Sequence, residues 1–340
     1  MSRRRPWRRR PRRTPVACSA SRWRAEVGQG GPLQRRRGGD GAAGGDRRRP
    51  PRPRPLRRYG QNHLVDGNVL AAIVEQAAVR PDDVVLEVGA AAGRLTRPLL
   101  ERAAVVHAYE IDRRFSAALE ELAAAAPNLR LHFGDALRDD LSRLSPPPTA
   151  LVANLAYNIA IPLIMESILV LPSVRRWAVM VQRELGERLF AAPGSKPYAA
   201  VSVLTQAACR LERVRAVPAS AFRPRPRVDS SFVTFVRRDP AETPPPPTAA
   251  QYRALDPLVR RAFAQRRKLL ANSLAGSAVR DPAGRLRVLA RDDIVAALAR
   301  LGRPPASRPE ELAPDEWLRF AVSLGAVPAT GHDEAGEDGS

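Results

Sequence analysis

From residue 59 onward the chain alternates short, almost wholly apolar runs with stretches whose apolar side chains recur every three or four residues. The short runs at 84–89, 105–110, 129–133, 149–153 and 177–182 have the length and β-branched content of buried strands. Between them, 94–102, 112–126, 162–170 and 183–190 carry helical patterns, the second opened by Asp112 as N-cap. Such alternation predicts an α/β fold: a doubly wound, Rossmann-like, mostly parallel sheet covered by helices on both faces. Two further β-rich runs, 209–217 and 230–236, predict an antiparallel pair that closes the sheet. Beyond the proline run 244–247, a stiff spacer, helical patterns at 251–274, 292–301 and 314–324 predict a small C-terminal helical domain without strands. The expected units are a sheet domain over 59–240 and a helical domain over 249–326.

Charge and composition change the picture mainly at the ends. The net charge is +21, and residues 1–58 hold 20 Arg against three acids. That segment is rich in Arg, Pro and Gly and too poor in apolar residues to fold alone, so it reads as a disordered leader. It is either an arm for phosphates or an inert extension. Residues 327–340 read as a disordered, largely acidic tail. The folded part is then nearly neutral, and Lys196 and Lys268 are its only lysines. Cys18 and Cys209 are too few for a disulfide framework or a zinc site, so a reducing cytoplasm and no metal are expected. No window approaches the roughly 18 apolar residues of a membrane helix, so no membrane partner is expected, and a monomer is the default.

Candidate chemistry falls at the ends of the strand runs. Residues 86–96, LEVGAAAGRLT, form a strand, a small-residue turn and a helix start, which lets backbone amides approach a ligand closely. Glu110 ends the next run, 21 residues past Gly89, where an acid accepts ribose hydroxyls. Asp135, after the third run, can accept from an adenine amine. The G-x-G-x-x-G spacing of dinucleotide sites is absent, which favours S-adenosylmethionine over nicotinamide. After the fourth run stand Asn154, Leu155, Ala156 and Tyr157. The Asn154 side-chain oxygen and the Leu155 carbonyl can bind the two hydrogens of an exocyclic amine while Tyr157 stacks the base. Positioning, rather than a strong base or metal, would drive methyl transfer to that amine. His63, His107, His132 and His332 form no evident constellation.

These segments together resemble the ribosomal RNA adenine dimethyltransferase family, and more narrowly its small-subunit (16S) dimethyladenosine transferases. The likeness covers about 59–324. It is carried by Gly60-Gln61-Asn62-His63-Leu64, the 86–96 loop, Glu110 with Asp112, Gly134-Asp135-Ala136 and the Asn154 tetrad. Three long runs, 182–198, 221–232 and 262–274, add to it. The resemblance implies dimethylation of two adjacent adenines near the 3′ end of 16S rRNA, on an assembly intermediate of the small subunit. It implies a cofactor site of Asn62, Leu64, Gly89, Glu110, Asp135 and Asn154, with Asn154, Leu155 and Tyr157 at the adenine. Separately, Arg223, Arg225 and Arg227 on a Pro-stiffened loop, and Arg260, Arg266, Arg267 and Lys268 in one helical region, suit phosphate contacts.

Four positions depart from the family's pattern: Ala90-Ala91 for Pro-Gly, Ala156 for Pro, His63 for Phe and Ala199 for Gly. If position 91 needs a left-handed backbone, its Cβ costs about 1–2 kcal/mol. None of these changes removes a contacting side chain. They motivate one alternative, an rRNA-binding assembly factor with weakened catalysis. The other is the large-subunit (23S) methyltransferase of the macrolide-resistance type, against which stand Tyr157, where those enzymes usually carry Phe, and the 262–274 run.

Overall fold

The structure is a computed structural model that describes residues 62–281 and 284–328. The leader expected over 1–58, residues Gly60 and Gln61, and the tail from 329 lie outside the described residues. In chain order the elements are β1 (His63–Leu64), α1 (Gly67–Ala77), β2 (Val84–Val88), α2 (Thr96–Leu100), β3 (Val105–Glu110), α3 (Ser116–Ala125) and β4 (Leu129–Phe133). Next come β5 (Ala150–Asn154), α4 (Ala160–Val170), β6 (Arg176–Gln182), α5 (Arg183–Leu189), α6 (Ala200–Ala208), β7 (Cys209–Val217), β8 (Phe222–Arg223) and β9 (Ser230–Arg237). The C-terminal part holds α7 (Ala249–Phe263), α8 (Leu270–Leu274), β10 (Ala278–Arg280), β11 (Leu286–Val288), α9 (Arg291–Arg300) and α10 (Pro314–Ser323).

Seven strands form one sheet in the order β4-β3-β2-β5-β6-β9-β7. The first five are parallel. Strand β9 pairs antiparallel with both β6 and β7, so the expected closing pair is present. The chain leaves β2 toward β3 and β4, then returns to place β5 on the other side of β2. That reversal leaves a crevice beyond the carboxyl ends of β2 and β5, where open α/β sheets take ligands. The all-buried sequence of β2 suits a central parallel strand.

Local chemistry explains several element ends. Asp66 caps α1 by accepting from the N–H groups of Asn68 and Val69 at 2.9 and 3.0 Å. Thr248 and Gln251 form a reciprocal capping box that starts α7 directly after the prolines.

The structure differs from the sequence expectation in four respects. Helices stand at 67–77 and 200–208, where the sequence pattern predicts none. Helix α6 spans only nine residues, and its polar positions Ser202, Thr205 and Gln206 are small or turned into the protein, so its helical period is too short to stand out from the apolar run around it. The helix expected over 251–274 breaks at 264–269, where the Leu270 N–H turns to the Ser307 carbonyl at 2.9 Å. The helical part also contains the β10–β11 hairpin; its three-residue strands are too short to register as alternation. Finally, Val327 is buried and the Pro328 carbonyl accepts from Gln251 Nε2 at 2.9 Å, so these two residues pack with the helices rather than belonging to a tail.

Candidate active site

A cavity of about 270 Å³ opens at the carboxyl ends of β2, β3, β4 and β5. Strand β2 runs into a turn with Gly89 at φ +87°, Ala91 at φ +49° and Gly93 at φ +72°. The N–H groups of Gly89 and Ala90 both donate to the Tyr109 carbonyl, at 2.9 and 3.1 Å, which ties the turn to β3. Glu110, buried at the end of β3, accepts from Ala91 N on Oε2 and from Asp112 N on Oε1, both at 2.7 Å. Burial pushes this carboxyl above its ordinary range, while the same two N–H groups pull it back. Its plane at the cavity wall is therefore set by the main chain.

Asp135 follows β4. Its Oδ1 accepts from Leu137 N at 3.0 Å and its Oδ2 lies 3.5 Å from Arg138 Nε. A Cβ at Gly134 beside it would stand 2.4 Å from Asp139 Oδ2, the tip of an exposed side chain that can turn aside.

Asn154 ends β5, and its Nδ2 donates to the Asn62 carbonyl at 3.0 Å. A carbonyl only accepts, so this bond fixes which way the amide is turned and leaves Oδ1 as the acceptor to offer a ligand. The Leu155 N–H donates to Met180 O on β6 at 3.2 Å, holding the start of the following turn. Half-buried Tyr157 is hydrogen-bonded to Ser230 Oγ at 3.0 Å, and burial raises its phenol above the ordinary value.

Asn62, Gly89, Glu110, Asp135, Asn154, Leu155 and Tyr157 thus line one cavity. The Leu64 side chain does not; it is buried in the core behind β1. The sequence reading missed Tyr109, Phe222 and Ile111, which also line the wall. Ile111 carried the one local signal, an apolar residue set between Glu110 and Asp112 just past the strand end, and it is 43% exposed. It also missed Glu87, buried under the turn with Oε2 lacking a hydrogen-bond partner among the described residues. Burial pushes Glu87 up to about 8, Thr96 opposes without meeting hydrogen-bond geometry, and Glu110 adds to the rise.

A family model described as ribosomal RNA adenine dimethylase matches residues 55–294. The chain belongs to the ribosomal RNA adenine dimethylase family. One relative, the ribosomal RNA small subunit methyltransferase A of Rubrobacter xylanophilus, is 44% identical over 224 residues, 66% of this chain and 82% of that protein. Its namesake in Kineococcus radiotolerans is 45% identical, covering 66% of this chain and 74% of that protein. Among solved structures, the 23S rRNA methyltransferase ErmE is 29% identical with a TM-score of 0.56, over 77% of this chain and 99% of that one. A dimethyladenosine transferase from Plasmodium falciparum shares the fold, with a TM-score of 0.63 at 23% identity over 77% and 96%. As a member of this dimethylase family, the chain is an S-adenosylmethionine-dependent rRNA adenine dimethyltransferase.

The cavity fits an adenosine-containing donor of that family. Its wall offers a glycine turn open to close approach and a buried carboxylate held by two amides. The basic residues fall into two groups. Arg225, Arg227, Arg267 and Lys268 are exposed, and Arg223, also exposed, spends one guanidinium nitrogen on the Phe222 and Ser220 carbonyls at 2.9 and 3.3 Å. Arg260 instead pairs with Asp256 at 2.8 Å with its side chain 12% exposed. Arg266 donates to the carbonyls of Ser195 and Lys196 at 2.9 and 2.7 Å. Both serve the packing of the helices, because a guanidinium bound internally has few donors left for a phosphate.

Contrary to the sequence reading, two of the histidines are partners. His107 Nδ1 lies 3.1 Å from His132 Nε2, and His107 Nε2 lies 2.9 Å from the Pro146 carbonyl. That carbonyl takes the Nε2 proton, so Nδ1 of His107 accepts from His132. Neither lines the cavity.

Proposed function

We propose that this enzyme adds methyl groups to N6 of two adjacent adenines near the 3′ end of small-subunit (16S) rRNA, on a subunit assembly intermediate. The observation that carries the reading is the Asn154 amide, turned by its 3.0 Å bond to the Asn62 carbonyl, in the same cavity wall as Tyr157.

When bound, S-adenosylmethionine supplies an electrophilic methyl group on a positively charged sulfur. Glu110 would hold its ribose hydroxyls and Asp135 its adenine amine, with Asn62, His63 and the Gly89 turn around them. Asn154 Oδ1 and the Leu155 carbonyl accept the two hydrogens of the target amine. This draws the nitrogen lone pair out of conjugation with the ring and aims it. Tyr157 stacks the unpaired base, worth about 1–3 kcal/mol. The amine becomes strongly acidic once alkylated and sheds its proton to solvent, so no general base is required. Rate then comes from alignment and fixed dipoles. The exposed Arg225, Arg227, Arg267 and Lys268 would grip phosphates without reading sequence.

Similarity of 44–45% to small-subunit enzymes, against 29% to ErmE, supports the small-subunit target over the large-subunit one. The assembly-factor alternative predicts no donor binding in calorimetry. The decisive experiment supplies undermethylated small subunits and labelled S-adenosylmethionine, followed by mass spectrometry of the rRNA. Label in dimethyladenine near the 3′ end is expected; unlabelled rRNA would refute the reading. Asn154→Ala should abolish turnover while subunit binding survives, and parental activity in that variant would remove Asn154 from the mechanism.

A further inference from the structure

We propose that Ser230 is a positioning residue for the target base: its buried hydroxyl anchors the Tyr157 ring in the plane on which adenine stacks. The inference rests on the base-holding role of Tyr157 and assigns the group that holds Tyr157 itself.

Tyr157 lies in the turn after β5, outside the sheet ladder. Main-chain bonds fix the turn at its edges, with Leu155 N on Met180 O and Ile159 N on Ala156 O at 3.0 Å. They do not fix the ring, which can rotate about two side-chain torsions unless its far end is tethered. Ser230 supplies that tether, 3.0 Å from the phenol oxygen.

The anchor is rigid for reasons of its own. Ser230 is fully buried and opens β9, where it pairs with Gln182 of β6 on one side and Val217 of β7 on the other. The preceding residue, Asp229, is held at both ends. Its carbonyl accepts from Arg183 N at 3.1 Å and its carboxylate from Ala219 N at 3.0 Å. Ser231 abuts Gly186 of α5 so closely that a Cβ there would come within 2.9 Å of it. The Ser230 hydroxyl is therefore as fixed as the sheet.

Of the two hydroxyls the phenol is the better acid and donates, and Ser230 Oγ accepts. A ring tethered in this way is a preformed wall, so the incoming base does not have to immobilise it. A cut tether leaves the stacking face present but free to swing.

The test is a double-mutant cycle on the full chain, reading kcat and KM for undermethylated small subunits, donor affinity by calorimetry, and the melting midpoint. Ser230→Ala and Tyr157→Phe should each lower kcat about two- to tenfold, the range of one neutral hydrogen bond, with donor affinity unchanged. The double variant should be no slower than the slower single variant, because both substitutions remove the same bond. Multiplying losses, or a parental rate in Ser230→Ala, would overturn the assignment. So would a kcat loss in Ser230→Ala that tracks a lowered melting midpoint and persists in the Tyr157→Phe background, since that pattern is structural. Tyr157→Ala separates the levels: if it methylates like the parent, the base-holding role has failed and the anchor with it.

Discussion

One methyl group, the Cβ of Ala91, is the most consequential departure in the donor turn. Ala91 adopts φ +49°, and Ala78, which ends α1, adopts φ +48°. A left-handed backbone costs an L-residue about 1–2 kcal/mol, and glycine returns roughly 0.4–1 kcal/mol of that through its freer unfolded chain. Ala91→Gly and Ala78→Gly should therefore each raise stability by about 0.5–1 kcal/mol in urea unfolding. Only Ala91 lines the cavity and donates to Glu110, so only Ala91→Gly should tighten S-adenosylmethionine binding. Equal donor affinity in the two variants would show that the strain does not reach the site. Ala199, the other alanine standing where the family has glycine, is extended at φ −147° and carries no such strain. Sequence flags 91 and 199 alike, and only the backbone tells them apart.

Strand β2 shows how an element can be legible while its chemistry is hidden. Its apolar run announces a buried strand, and Val85 and Leu86 serve the cores on opposite faces. Glu87 looks like a polar interruption, yet it is buried and pushed up to about 8 from an ordinary 4.5. Between those values the folded protein keeps a proton that the unfolded chain has released. The Glu87 contribution to stability is thus fully present below about pH 4.5 and is lost as pH rises through about 8. Glu87→Gln should gain on the parent across that window, by up to about 1.4 kcal/mol per pH unit. Urea midpoints at pH 5 and pH 8.5 measure it, and a constant parent–variant difference would rule out a titrating Glu87. Helix α6 and the β10–β11 hairpin fail in the opposite way. The first is nine residues long with its polar Ser202 and Thr205 buried, and the second has three-residue strands, so both are too short for their periods to stand out.

At the scale of the molecule, the C-terminal helices are not an appendage on a proline spacer. Residues of α7 to α10 share one continuous apolar cluster with α4, α6 and the sheet, running from Leu86 to Val327. Tyr198 donates to the Leu312 carbonyl at 2.8 Å across that junction, and Arg266 reaches back to the Ser195 and Lys196 carbonyls. Phe320→Ala, which empties a fully buried site, should cost about 3–5 kcal/mol. Because the cluster is shared, calorimetry should record one transition at a lower midpoint. A separate early transition for the helices would contradict a shared core.

Local order in the sequence was enough to determine the strand–helix alternation apart from α1 and α6, the antiparallel closure, and, to within a residue, where each strand of the parallel sheet ends. Periodicity and turn chemistry are properties of neighbouring residues, and they survive in one dimension. Tertiary structure alone decided which of those ends meet, that Ser230 reaches Tyr157 across 73 positions, that Arg260 faces inward, and that Ala91 is strained. Each depends on a distance or a dihedral fixed by packing between segments far apart in the chain, and no local pattern encodes it.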